Sequence, residues 1–317
     1  MKLGFDTIKE ITVGAARICR EGESIAFFKM TERQLEVYRT SFERFYNNAC
    51  NTTGVRLDFW TDSDFFAFLP TSRGKYEAKL DGRLVLFGVQ EADAECRFDL
   101  PKDGVMHRVT LYLPCHGVGG RLGYVELSDG ARWKRATFDT KMLFIGDSIT
   151  QGWNSEWDTG SYALLVSDHF NAESMVWGVG GACYEPETVG CVDDFAPDTV
   201  IVAYGTNDAG REDILSVLEE KCRGTYEKIK TYYPNARVVV ITPVWRLDQE
   251  KPRAYGHVSL VSDCIAKTAK EFGFPVIDGL TLIPHAARLF VDNVHPNDLG
   301  FGLYAENLIK EIEKTVK

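Results

Sequence analysis

The chain has 317 residues, 44% of them hydrophobic, and a formal net charge of −10. That length is about twice a typical domain and supports two cores, whereas the acidic balance argues against nucleic acid or an anionic membrane surface, both of which select a basic patch. Soluble, neutral substrates are the natural partners.

The amino terminus, Met1-Lys2-Leu3-Gly4-Phe5-Asp6, lacks an apolar core of signal-peptide length, and no continuous apolar run is long enough to span a bilayer. Cytoplasmic placement is the expectation. The eight cysteines are scattered, with no Cys-x-x-Cys pair that would indicate zinc or redox chemistry, so free thiols are expected.

The first 130 or so residues show period-two alternation, as in Val55-Arg56-Leu57-Asp58-Phe59 and Val109-Thr110-Leu111-Tyr112-Leu113, with Asp81-Gly82 and Asp103-Gly104 as turn residues between runs. This is an all-β pattern. Thr31-Glu32-Arg33-Gln34-Leu35-Glu36-Val37-Tyr38 reads instead as a helical turn. The composition shift at Asp129 to Arg135 marks a boundary, giving a β-rich domain over 1–137 and a second domain over 138–317.

The second half alternates strand and helix. Apolar runs at 142–145, 174–179, 199–204, 237–242 and 275–277 are separated by helix-like segments near 161–170, 213–232 and 257–272, which predicts a parallel sheet with covering helices. A final helix is expected to begin with Asp298 as its cap and to run through Leu303, Leu308 and Ile312.

Chemistry concentrates in four short runs of that half. Gly146-Asp147-Ser148 follows the apolar strand Leu143-Phe144-Ile145, which places Ser148 at a strand's carboxyl end, where open α/β sheets build their sites. A serine hydroxyl is a weak nucleophile until an imidazole takes its proton and a carboxylate holds the imidazole in the right tautomer. His295 and Asp292, in Asp292-Asn293-Val294-His295-Pro296, fit those two roles. Trp177-Gly178-Val179-Gly180-Gly181-Ala182 and Tyr204-Gly205-Thr206-Asn207-Asp208 also follow strand-like runs and offer donors for a tetrahedral oxyanion.

The other histidines, His107, His116, His169, His257 and His285, lack an aspartate three residues before and a proline after. His285 is the rival nearest the right loop. Trp153, Tyr184, Trp245 and Arg246 would lie on the site edge of the sheet, where aromatic faces can stack on sugar rings. Arg246 reads as a sugar ligand or a salt-bridge partner, with the salt bridge slightly ahead. Asp147 and Asp208 are expected to orient the nucleophile turn and Asn207. The chemistry needs no cofactor and no metal.

These four runs, in their order along the chain with the Asp292/His295 pair last, resemble the SGNH (GDSL) hydrolase superfamily over roughly residues 141–317. The resemblance implies a flavodoxin-like three-layer α/β/α domain with Ser148 as nucleophile, His295 as base and Asp292 as its partner. The oxyanion hole would then be the backbone N–H groups of Ser148 and Gly181 and the side-chain amide of Asn207. A preceding jelly-roll-like β-sandwich resembles that of two-domain carbohydrate acetyl esterases, which implies deacetylation of xylan- or mannan-type oligosaccharides. An esterase or lysophospholipase acting on lipid-derived esters, and a non-catalytic glycan-binding protein, are the alternatives. Oligomeric state, homo-oligomer included, is left open at this level.

Overall fold

The computed structural model describes residues 1–316 and divides into two compact units, Met1–Thr31 with Cys50–Phe138, and Glu32–Ala49 with Asp139–Lys317. The continuous 1–137 domain expected from composition is therefore interrupted. The segment read as a helical turn falls in the helix Glu32–Ser41, a second helix, Glu43–Cys50, follows it, and nearly all of this insert packs in the second unit.

The first unit consists of two antiparallel sheets. One orders Thr12–Val13, Arg56–Thr61, His107–Tyr112, Gly74–Leu80 and Arg83–Gln90, with Trp133–Arg135 also on Arg56–Thr61. The other orders Arg17–Glu21, Ser24–Phe28, Arg121–Leu127, Phe65–Pro70 and Cys96–Asp99. Phe27, Leu57, Phe59, Phe66, Phe68, Leu111 and Val125 fill a shared core. Asp81 (φ 47°) and Gly82 (φ 81°) turn the hairpin Gly74–Leu80/Arg83–Gln90, because a two-residue loop matched to strand twist needs positive φ at both positions.

The alternation along Arg56–Thr61 does not separate core from solvent. Arg56 and Asp58 are buried as well, and Asp58 accepts from Arg56 Nε (3.1 Å) and Arg108 Nε (2.8 Å). Burial raises the Asp58 carboxyl, but the Arg108 and Arg56 guanidinium groups outweigh it and hold the group below its ordinary value. Paired in this way, a charge on the second face tolerates loss of solvent.

In the second unit a parallel sheet runs in the order Ala172–Gly178, Thr140–Gly146, Thr199–Ala203, Arg237–Ile241 and Val276–Ile277. Counted along the chain this is 2-1-3-4-5, the flavodoxin-like order, whose switch point lies where the first strand is flanked by the second and third. The apolar runs form these strands because buried parallel sheets are covered on both faces. Tyr162–His169 packs with Asp298–Val316, and Leu218–Tyr232 packs with Ser259–Glu271. All eight cysteines are free. No helix among the described residues is long and apolar enough to cross a membrane.

The cap of the last helix is corrected by one residue. Asn297 Oδ1 accepts the N–H of Gly300 (3.0 Å), so Asn297 caps the helix that begins at Asp298. The Asp298 carboxylate turns to another loop, accepting from Ser155 Oγ (2.6 Å) and the N–H of Glu156 (3.0 Å).

Candidate active site

Strand register aligns three loops. Gly146 pairs with Gly178 on one side and with Ala203 on the other, so the loops carrying Ser148, Gly180-Gly181 and Asn207 leave the sheet abreast at its switch point. Glycine is required at the crossing points. A Cβ on Gly146 would lie 2.0 Å from Thr150 Oγ1, and one on Gly178 would lie 2.3 Å from the backbone N of Gln151. The turn of helix Ser148–Gln151 is thereby laid directly against the neighbouring strand.

Asp147 caps that turn by accepting the N–H of Ile149 at 2.9 Å. Ser148, 5% exposed, directs Oγ to His295 Nε2 at 2.8 Å, and His295 Nδ1 meets Asp292 Oδ2 at 2.7 Å. Asp292 Oδ1 accepts the N–H groups of Val294 (2.8 Å) and His295 (2.9 Å), and Asn154 Nδ2 reaches Oδ2 at 3.2 Å. Partial burial raises the Asp292 carboxyl, but the His295 ring and the two backbone donors more than offset it and hold the group below its ordinary value. The histidine loop is tied down by Val291 N–H on His295 O (2.9 Å) and by Leu247 N–H on Asn293 O (2.9 Å). His285, the rival base, lies against Leu280 O (3.0 Å) and stacks on Trp245.

Hydrogen bonding distinguishes among the donors of the glycine loop. Val179 N–H goes to Gly146 O, Gly180 N–H to Gln151 Oε1 (2.7 Å) and Ala182 N–H to Val179 O. The N–H of Gly181 meets no acceptor among the described residues. Gly181 has φ 85°, and a Cβ there would lie 2.2 Å from Phe45 Cε1, so only glycine fits. Asn207 donates one amide hydrogen to Ala182 O (3.0 Å), which fixes the amide's orientation.

The expected supports are present, with different partners. Asp208 accepts the N–H of Tyr184 (3.2 Å) and does not touch the Asn207 amide. Burial pushes Asp147 up to about 7 and Asp208 up to about 6. Arg246 belongs to the salt-bridge reading: it pairs with Asp248 and donates to Thr206 O (3.1 Å), bracing the Asn207 loop.

Two of the expected aromatic faces are placed near the relay or its loop. Trp153 lies with its ring centroid 6.3 Å from that of His295, and half-buried Trp245 stacks on His285 (5.3 Å) with Phe290 edge-on. Tyr184 is corrected. Its ring is fully buried and its hydroxyl meets Tyr226 at 2.9 Å, so it presents no face for stacking on a sugar, although it forms part of a cavity wall.

Four supports escaped the reading of the sequence. Gln151 follows Ser148 by three residues, a spacing that places both on one helical turn and so gave a signal. Asn154 on Asp292 gave none. Asn48, which donates to Gly180 O (3.1 Å), and Phe45 come from the inserted helices and also gave none.

Residues 144–303 match the GDSL-like Lipase/Acylhydrolase family. A GDSL lipase of Mycobacterium tuberculosis is 25% identical over 185 residues, 52% of this chain and 78% of that protein. Among solved structures, the chain is similar to the salicylyl-acyltransferase SsfX3 from a tetracycline biosynthetic pathway, with TM-score 0.84 and 19% identity over 96% of this chain and 94% of that one. It is also similar to an acetyl xylan esterase from the rumen bacterium Butyrivibrio proteoclasticus, with TM-score 0.65 and 15% identity over 84% and 91%. A family two carbohydrate esterase from Clostridium thermocellum gives TM-score 0.65 and 16% identity over 84% and 94%. At such identities the structural likeness speaks to fold alone. The family match spans half the chain and all four runs, and this protein belongs to the GDSL-like lipase/acylhydrolase family of carboxylic ester hydrolases.

Proposed function

We propose that the chain removes O-acetyl groups from carbohydrates of the xylan or mannan type through an acyl-enzyme on Ser148. The observation that carries the chemistry is the continuous relay from Ser148 Oγ to His295 Nε2 and from His295 Nδ1 to Asp292. Ser148 Oγ attacks the ester carbonyl carbon while His295 Nε2 takes its proton, and Asp292 stabilises the imidazolium that results. The oxyanion is held by the N–H groups of Ser148 and Gly181 and by the Asn207 amide. Collapse breaks the bond to the sugar oxygen, which leaves with the proton from His295. Water, deprotonated by the same nitrogen, then attacks the acyl-enzyme and releases acetate and free Ser148.

The carbohydrate part of the reading is supported by the two-unit structural neighbours, whose names include an acetyl xylan esterase and family two carbohydrate esterases. Trp153 beside His295 supplies an aromatic face of the kind that packs on a sugar ring.

The test is kcat/KM on p-nitrophenyl acetate, butyrate, octanoate and decanoate, run beside acetate release from acetylated xylo- and manno-oligosaccharides. Preference for acetate together with release from a sugar is expected. Preference for octanoate or decanoate moves the substrate to lipids and overturns the carbohydrate reading. Undiminished turnover in Ser148→Ala overturns the mechanism.

A further inference from the structure

Apart from the relay, the second unit contains a cavity of about 170 Å³ against the loop that follows Gly181. A cavity of roughly 150 Å³ is known to accept benzene, so this one has room for a single six-membered ring. Its aromatic walls include Phe42 and Phe45 beside Tyr38 and Tyr184, and the loop after Gly181 contributes Ala182 and Cys183. The Phe45 ring rests on Gly181, and Asn48 on the same helix donates to Gly180 O, so the wall of the cavity and the proposed oxyanion donor are one packed assembly.

The charge of the lining runs against that of the chain. Arg44 and Arg211 both border the cavity in a protein of net charge −10. Glu185 borders it too, but its carboxylate is paired with Lys221. Arg211 has a partner in Asp213 at 3.6 Å, a carboxylate 71% exposed and therefore weakly held. Arg44 lies over the Phe45 ring (4.4 Å) and forms no ion pair among the described residues. Both arginines line this one cavity, as does Cys183. An aromatic slot with two under-neutralised arginines matches a planar or puckered ring carrying an anion, because guanidinium forks bind carboxylates in two-point fashion.

We propose that this cavity binds a six-membered ring bearing a carboxylate, as part of the ester substrate, with Phe42 and Phe45 on the ring and Arg44 and Arg211 on the carboxylate. The inference rests on the esterase reading and narrows it to acidic esters. The ring can come from a sugar acid or from an aromatic acid.

The experiment is calorimetric titration of Ser148→Ala, which needs no turnover, with glucuronate and benzoate beside their uncharged counterparts glucose and benzamide. At least one acid is expected to bind about tenfold or more tighter than its counterpart, the scale of a charge-assisted hydrogen bond. That preference is expected to vanish when Arg44→Gln or Arg211→Gln is added. Tighter binding of glucuronate assigns a sugar acid, and tighter binding of benzoate an aromatic one. Equal binding of acid and neutral ring, no binding of either acid, or a preference that survives in both folded arginine variants overturns the proposal. Circular dichroism establishes folding, and Arg211→Gln serves if Arg44→Gln does not fold. Esterase activity is read separately in the unsubstituted chain, so absent turnover overturns the esterase reading and leaves the binding result to stand on its own.

Discussion

Gln151 Oε1 accepts the N–H of Gly180 at 2.7 Å, so the residue three positions after Ser148 fixes the loop whose next N–H, that of Gly181, meets no acceptor among the described residues. The bond selects which donor is available. Gln151→Leu keeps the side chain's approximate volume but frees Gly180 N–H and loosens the loop. It is expected to lower kcat by about ten- to a hundredfold, approaching the loss of one oxyanion donor, with KM changed far less. Steady-state kinetics on p-nitrophenyl acetate checks this, and an unchanged kcat would show that Asn48 and Phe45 suffice to hold the loop.

Asp292 is engaged by four donors, two backbone and two side-chain, and its role in aligning His295 separates from its charge. Asp292→Asn keeps an acceptor for the backbone N–H groups but turns an amide towards a ring nitrogen that must donate. The wrong imidazole tautomer then faces Ser148. A fall in kcat of about a thousandfold or more is expected, near the effect of the same exchange in serine proteases. A loss below tenfold would mean that Ser148 and His295 act as a dyad.

What could be read in the sequence was local. The Gly-Asp-Ser turn, the Asn207 loop and the Asp292/His295 pair each occupy a few consecutive residues, and strand-end geometry restricts what can stand there, since a Cβ at Gly146 would lie 2.0 Å from Thr150 Oγ1. Periodicity was also sufficient for the five parallel strands, since buried strands are apolar throughout. It failed where the partner is remote. Asn48 lies 132 positions from Gly180, and nothing near either residue marks the pairing. Tyr184 was misread because a tyrosine after a site-edge strand looks the same whether its hydroxyl meets solvent or Tyr226. The alternation at Arg56 and Asp58 marks a strand but does not register that Arg56 and Arg108 both pair with Asp58 inside.

Asp147 makes stability depend on pH. Its carboxyl is raised to about 7 in the folded chain by burial, with a further push from Asp208, against roughly 3.9 when unfolded. Below about pH 4 both states hold the proton and the group contributes no difference. As pH rises from about 4 to about 7 the unfolded state releases its proton while the folded state keeps it, so stability falls through that window and levels off above it. The full effect is on the order of 4 kcal/mol at most, by the linkage between pKa and stability. Asp147→Asn retains an oxygen for the Ile149 N–H and removes the titration. Urea unfolding at pH 4, 6 and 8 is expected to show the variant gaining on the parent chain as pH rises, and parallel curves would rule the assignment out.

Asp298 links the last helix to the loop after the nucleophile turn through Ser155 Oγ and the N–H of Glu156. Because Asn297 caps the helix, Asp298→Ala removes the loop contacts without removing the cap. A loss of about 0.5–1.5 kcal/mol is expected, the range for a net intramolecular hydrogen bond, since Glu156 N–H is exposed and Ser155 Oγ keeps Trp157 O. Chemical denaturation measures it, and a change under about 0.5 kcal/mol, the range of an ordinary surface substitution, would show that the loop holds itself.

Gly181 and Phe45 allow steric cost to be separated from backbone cost. In Gly181→Ala the new Cβ meets Phe45 Cε1 at 2.2 Å, and φ 85° is unfavourable for any residue with a Cβ. The two costs add in the single variant. Phe45→Ala removes the ring, so in the double variant only the backbone strain remains, roughly 1–2 kcal/mol. The double variant is therefore expected to be more stable than the sum of the two single losses predicts, by at least about 1 kcal/mol, a coupling of the size found for residues in contact. Urea midpoints for the four proteins give that difference directly. Strict additivity would show that the loop moves away from the ring, in which case Phe45 does not position Gly181.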